Sequence, residues 1–123
     1  MRYLLDTNVL IHSMEGTLSV AMARILGDTA NDLVVSMASL WETAIKSGLG
    51  KLKLPLDMDQ QMLALGIELL PIERAHIAEY KTLPLLHRDP FDRMLIAQAR
   101  VENLTLASSD RQFRRYDVKV LSA

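Results

Sequence analysis

Short apolar runs that alternate with segments of helical periodicity predict an α/β fold, a three-layer sandwich with a five-stranded, mostly parallel sheet between helices. Two observations carry this expectation. Each strand segment is a nearly continuous aliphatic run, as strands buried on both faces require. Each is then followed by apolar residues at helical spacing rather than by a hairpin turn. The length of 123 residues falls below the roughly 150 that serve as a soft prior for one domain, so a single domain over 1–123 is expected.

The elements follow in order. Tyr3-Leu4-Leu5 is a buried strand that ends in the polar turn Asp6-Thr7-Asn8, with Val9, Leu10 and Ile11 opening a helix. Leu18, Met22, Ile25 and Leu26 share one face of an amphipathic helix that stops at Gly27-Asp28. Leu33-Val34-Val35 is β-branched and apolar; Ser36 and Ser39 offer caps for a helix through Trp41 and Ile45 to Gly48. Pro55 breaks the pattern of Lys51 to Leu56, which reads as a loop, and Asp57 can cap a helix running to Gly66. Ile67 to Leu70 is a third strand, Glu73 to Tyr80 a short helix and Leu83 to Leu86 a connector. The next helix has Asp89 as its cap, Pro90 in its first position and Asp92 in its first turn, and ends at Asn103. Leu104 to Ala107 and Val118 to Leu121 complete the strands, with a short helix starting at Asp110 between them.

Composition narrows the chemistry. The absence of cysteine excludes disulfides, a thiol nucleophile and cysteine-ligated metals, leaving Asp, Glu, His and hydroxyls. Fourteen basic against fifteen acidic residues give a net charge of -1, so no global positive field recruits nucleic acid. No apolar run approaches the ~18 to 20 residues of a membrane span. The opening Met1-Arg2-Tyr3-Leu4-Leu5-Asp6 meets an acid too early for a signal peptide, so a cytoplasmic protein without a membrane partner is expected.

In open α/β sheets ligands bind beyond the carboxyl ends of the strands, where Asp6 and Asp110 fall. Glu42, Asp89 and Asp92 lie on helices that can bring them to the same edge. Unit charges ~4 Å apart at an effective dielectric of ~20 repel by about 4 kcal/mol per pair, so a gathered set of carboxylates calls for a cation. Hard oxygen donors suit Mg²⁺ or Mn²⁺ rather than zinc or copper, and such ions activate water against phosphodiesters. Each acid also has a structural reading: Asp6, Asp89 and Asp110 as helix caps, Asp92 as a complement to the helix dipole, and Glu42 as half of a surface pair with Lys46. The functional reading rests on the set.

Four stretches resemble the PIN-domain nucleases: Leu4-Leu5-Asp6-Thr7-Asn8-Val9-Leu10, Ser39-Leu40-Trp41-Glu42, Asp89-Pro90-Phe91-Asp92-Arg93-Met94-Leu95-Ile96-Ala97 and Ser108-Ser109-Asp110-Arg111-Gln112-Phe113. Within that family the chain is similar to VapC-type toxins of type II toxin–antitoxin modules. The resemblance implies that Asp6, Glu42, Asp92 and Asp110 form a catalytic, metal-binding quartet, with Asn8, Ser108 and Asp89 in support. It also implies a five-stranded parallel sheet, Mg²⁺ or Mn²⁺ as cofactor, RNA as substrate, a cognate antitoxin and often a homodimer. Ser108 replaces a threonine common in the family and keeps its hydroxyl. For substrate phosphates, Arg88, Arg93 and Arg111 flank the acids in sequence; Arg114 and Arg115, or Lys46, Lys51 and Lys53, offer further patches. Leu18, Met22, Ile25 and Leu26 offer a groove for an antitoxin segment. His12, His76 and His87 are scattered and read as surface or packing residues, with His87 alone near enough to the acids to touch substrate.

Other classes fit less well. A receiver domain needs a phosphoacceptor on a central strand, and Asp57 follows a proline-containing segment. A haloacid-dehalogenase-like phosphatase needs a carboxylate two residues after Asp6, where Asn8 stands. A housekeeping RNA-processing nuclease or a catalytically silent PIN scaffold would carry the same motifs.

Overall fold

The computed structural model describes residues 1–53 and 58–122. Its sheet contains β1 (Arg2–Leu5), β2 (Asp32–Ser36), β3 (Glu68–Leu70), β4 (Thr105–Ala107) and β5 (Val120–Leu121). Their order is β3-β2-β1-β4-β5, and every neighbouring pair is parallel. The helices are α1 (Thr7–Glu15), α2 (Val20–Leu26), α3 (Met37–Gly48), α4 (Met58–Ala64), α5 (Arg74–Thr82) and α6 (Pro90–Glu102), with a short 3-10 helix at Arg111–Arg115.

Side-chain alternation along the strands divides the core. Leu4, Val34 and Leu106 point to the face covered by α5, α6 and the 3-10 helix, where they meet Leu95, Ile96 and Phe113. Tyr3, Leu5, Val35 and Ala107 point to the opposite face, against Val9, Leu10, Met22, Met58 and Met62 of α1, α2 and α4. The three-layer α/β arrangement is the one expected from the sequence, and its sheet is parallel at every pairing. From β1 the chain works outward through β2 to β3, then crosses to β4 and β5 on the other side. The switch point therefore lies between β1 and β4, whose carboxyl ends carry Asp6 and Ser108.

Several local expectations need correction. Asp6-Thr7-Asn8 is not a turn, because Asp6 caps α1 directly and Thr7 is already helical. Ser36 caps α3 by accepting the Ala38 N–H, whereas Ser39 is buried inside that helix. Leu104 precedes β4 because its N–H closes the end of α6 on the Ala99 carbonyl, with Asn103 left-handed at φ 53°. Of the residues expected to line an antitoxin groove, Met22 is core, whereas Leu18, Ile25 and Leu26 are half-buried beside it and Leu18 and Leu26 line a cavity of about 660 Å³. The loop and cap expected at Leu54 to Asp57 lie outside the described residues. Among the described residues no single helix is long and apolar enough to cross a membrane.

Leu106 is fully buried at the centre of this arrangement. Leu106→Ala is expected to lower unfolding free energy by about 2–5 kcal/mol in urea titrations, through lost apolar contact and the cavity left behind.

Candidate active site

Asp6 sits where β1 becomes α1, and two donors fix its carboxylate. Oδ1 accepts the Val9 N–H at 2.6 Å, and Oδ2 accepts the hydroxyl of Ser108 at the end of β4. Ser108 Oγ in turn accepts the Asp110 N–H at 2.9 Å, while Asp110 Oδ1 accepts the Gln112 N–H and caps the 3-10 helix. One chain of hydrogen bonds thus runs from the end of β1 across the switch point to Asp110.

Glu42 comes from the buried side of α3. Its Oε2 pairs with Lys46 at 3.2 Å, as the helical spacing suggests. Its Oε1 faces inward and, among the described residues, is a buried oxygen without a hydrogen-bond partner. Both readings of Glu42 therefore describe one residue, a surface pair through one oxygen and an inward acceptor through the other. Ser39, one turn earlier, accepts a hydrogen bond from the Thr7 hydroxyl at 3.0 Å and ties α3 to α1.

Asp89 caps α6 by accepting the Phe91 and Asp92 N–H groups. Asp92, one turn in, meets Asp110 and His87, the one histidine that the sequence sets near the acids: His87, Asp92 and Asp110 each offer a ligand atom within 4.8 Å of the others. His87 Nε2 lies 2.9 Å from Asp92 Oδ2. The separation of His87 from Asp92 crosses a helix start, where helical spacing rules give no signal; only the connector's path reveals their contact.

The electrostatics are those of a negative pocket. Burial pushes the Asp6 carboxyl above its ordinary 3.8; the bonds from Ser108 and Val9 oppose this, and the charges of Asp110 and Glu42 add to it. Asp92 rises to about 6, through burial first and then the charge of Asp89, with His87 pulling the other way and Glu42 adding a further push. Asp110 and Glu42 thus lie near enough to Asp6, and Asp89 and Glu42 near enough to Asp92, for their charges to be felt there. The donor set fits a divalent cation: hard carboxylate oxygens, raised proton affinities, and a buried Glu42 oxygen awaiting a positive partner.

The flanking residues divide. Arg88 and Arg111 are exposed, with Arg88 lining a cavity of about 470 Å³ together with Glu42, Lys46, Lys51 and Asp89. Arg93 is a correction, because its guanidinium is buried. It donates to the Pro84 carbonyl at 2.8 Å and the Leu83 carbonyl at 3.4 Å, and it lies 4.9 Å from the Tyr80 ring centre. It anchors the connector and does not face a substrate. Asn8 is exposed on the first turn of α1, with no hydrogen bond to the four acids among the described residues.

A carboxyl with a folded-state pKa near 6 and an unfolded value of 3.8 leaves the native state holding more protons between those values. Native stability is then present at low pH and falls as pH rises from about 4 to 6. Urea unfolding of metal-free protein in chelator is expected to show this decline, and Asp92→Asn is expected to flatten it. A wild-type stability that climbs across the same window would contradict the assignment.

No curated protein sequence matches the chain. Its fold is similar to VapBC2 from Rickettsia felis, solved bound to a DNA fragment from its promoter. Identity is 20%, coverage 100% of this chain and 99% of the other, and TM-score 0.75. FitAcB from Neisseria gonorrhoeae is 21% identical over 98% of this chain and 96% of its own, with a TM-score of 0.70. A toxin–antitoxin complex from Klebsiella pneumoniae is 16% identical over 98% and 96%, with a TM-score of 0.68. At these identities the likeness is one of fold. The family profile described as the PIN domain matches residues 3–119, nearly the whole chain with all four acids inside it, and the chain belongs to the PIN domain family.

Proposed function

We propose that this chain is a Mg²⁺- or Mn²⁺-dependent endoribonuclease that acts as the toxin of a type II toxin–antitoxin module, with a cognate antitoxin as its protein partner. The observation that carries the proposal is the convergence of Asp6, Glu42, Asp92 and Asp110 at the switch point, with Glu42 Oε1 buried and unpaired. Membership of the PIN family supports nuclease chemistry. The likeness to toxin–antitoxin assemblies supports the toxin role and the antitoxin partner.

Asp6, Glu42, Asp92 and Asp110 would hold the ion. When bound, it supplies the positive charge that makes water a nucleophile at neutral pH and offsets charge developing on a phosphodiester. The chain's own residues do the rest. Ser108 and the Val9 amide keep the Asp6 carboxylate in one orientation before substrate arrives. Glu42 Oε1, buried and without a hydrogen-bond partner among the described residues, would serve as one of the oxygens that face the ion. Lys46, Lys51 and Arg88 line the groove beside Glu42 and would position RNA phosphates there; Arg111 adjoins Asp110 from the other side.

Purified protein is expected to cleave RNA with Mg²⁺ or Mn²⁺ and to stop in excess chelator. Asp6→Asn and Asp92→Asn should each reduce the rate by about 100-fold or more, the scale at which a single reacting group contributes. Arg88→Ala should raise KM with little change in kcat. Cleavage that persists in chelator and in both variants would overturn the metal-dependent reading. Growth arrest on expression, relieved by a small reading frame immediately upstream, would separate a toxin from a housekeeping nuclease.

A homodimer is proposed as well. Trp41 is 61% exposed and meets Phe91 edge-on at 5.1 Å. The two line an apolar cavity of about 320 Å³ with Ile72, Ile77 and Met94, and exposed apolar clusters of this kind mark contact surfaces. Light scattering is expected to read twice the chain mass, reverting to one chain in Trp41→Glu. A monomer mass for wild type at tens of micromolar would remove the dimer.

A further inference from the structure

We propose that His87 is the positioning residue of Asp92: its Nε2–H holds Oδ2 of the carboxylate and so presets the metal site. This rests on the reading of Asp92 as part of that site.

The imidazole is placed by a built support rather than by chance on a loop. His87 ends the connector between α5 and α6, and that connector is tied down from two sides. From α6, Arg93 donates to the Leu83 and Pro84 carbonyls. From the 3-10 helix and its end, Arg115 donates to the Leu86 carbonyl at 2.8 Å, and the Tyr116 hydroxyl oxygen accepts the N–H groups of Leu86 and His87 at 3.1 and 2.8 Å. Arg93 reaches the same hydroxyl at 3.3 Å, closing the arrangement. The elements that hold His87 are thus the ones that carry Asp92 and Asp110.

The ring's orientation fixes its role. An ionised Asp92 Oδ2 can only accept, so the close 2.9 Å approach of Nε2 calls for the proton on Nε2, which leaves Nδ1 facing the Asp89 N–H at 3.5 Å. Both side chains are only 19% exposed, so water competes poorly for this bond. A ring whose Nε2 carries the proton orients a ligand and does not itself ligate. Hydrogen-bonding partners of ligating carboxylates are worth about 10- to 100-fold in metal affinity or activity when removed. Asp92 needs such a partner, since the charged groups of Asp89 and Glu42 around it are of like sign.

The test uses Mn²⁺ alone as probe, with binding followed by electron paramagnetic resonance. His87→Ala should weaken Mn²⁺ binding by about 10- to 100-fold, and His87→Gln, which keeps an N–H at comparable reach, should recover most of the loss. Thermal unfolding in chelator should show both variants folded. In metal-free wild type, ¹⁵N shifts of the imidazole should report a protonated Nε2. Equal Mn²⁺ affinity in wild type and His87→Ala, a neutral ring with Nε2 unprotonated, or ¹⁴N coupling from a directly bound imidazole would each overturn the proposal. Wild type that binds no Mn²⁺ would overturn the acidic metal site first, and this inference with it.

Discussion

The structure depends on how the carboxylate of Asp6 is held at the junction of β1 and α1. Asp6 caps the helix through one oxygen and accepts the Ser108 hydroxyl through the other, so it joins two central parallel strands just beyond their ends. The Asp6 N–H reaches back to the Ala107 carbonyl at 3.1 Å, extending the ladder by one bond at this point. With its backbone in the ladder and its carboxylate held by the Val9 N–H and the Ser108 hydroxyl, Asp6 has little rotational freedom. The other acids are placed by elements that pack around it: α3 through Thr7 and Ser39, and the 3-10 helix through Ser108 and Asp110.

That rigidity is bought against electrostatics. Burial and like charges oppose ionisation of Asp6 and Asp92, and the buried Glu42 Oε1 has no hydrogen-bond partner among the described residues. The fold offsets this tension outside the pocket. Arg93, stacked on Tyr80 and bonded to the connector, and Tyr116, which collects two backbone N–H groups, form a satisfied polar cluster against the apolar face of the sheet. It links α6 to the residue that ends the 3-10 helix, through the Arg93 contact with the Tyr116 hydroxyl at 3.3 Å.

Most of the architecture was legible in the sequence because burial on both faces leaves an unmistakable pattern in runs such as Leu33-Val34-Val35 and Leu104 to Ala107. The candidate acids drew attention for a different reason: Asp6 and Asp110 fall just beyond strands, at the edge where open α/β sheets bind ligands. What escaped was set by tertiary contact. Arg93 looks like a substrate cation beside Asp92, yet its side chain lies on the inward face of α6, shared with the buried Ile96 and Ala97 three and four residues on. His87 carries no periodic signal, because its position follows from where Tyr116 and Arg115 pull the connector. Thr7 was read as part of a polar turn, although its bond to Ser39 on α3 spans a sequence separation of 32 residues.

The structural reading of the acids is compatible with the function proposed for them. Asp6, Asp89 and Asp110 are all N-caps, of α1, α6 and the 3-10 helix, and Asp92 lies in the first turn of α6. A helix start offers unpaired amide donors and a positive dipole end, which tolerate a carboxylate better than any other backbone environment. In a parallel sheet with helices following the strands, helix starts collect at the carboxyl edge. The cap engages Oδ1 of Asp6, Asp89 and Asp110, so a single oxygen satisfies the helix while the carboxylate retains acceptor capacity for another partner. Glu42 breaks the pattern: it comes from mid-helix, has no amide to steady it, and carries the buried oxygen without a donor. It is therefore the member of the quartet whose placement is hardest to explain by the needs of the fold alone.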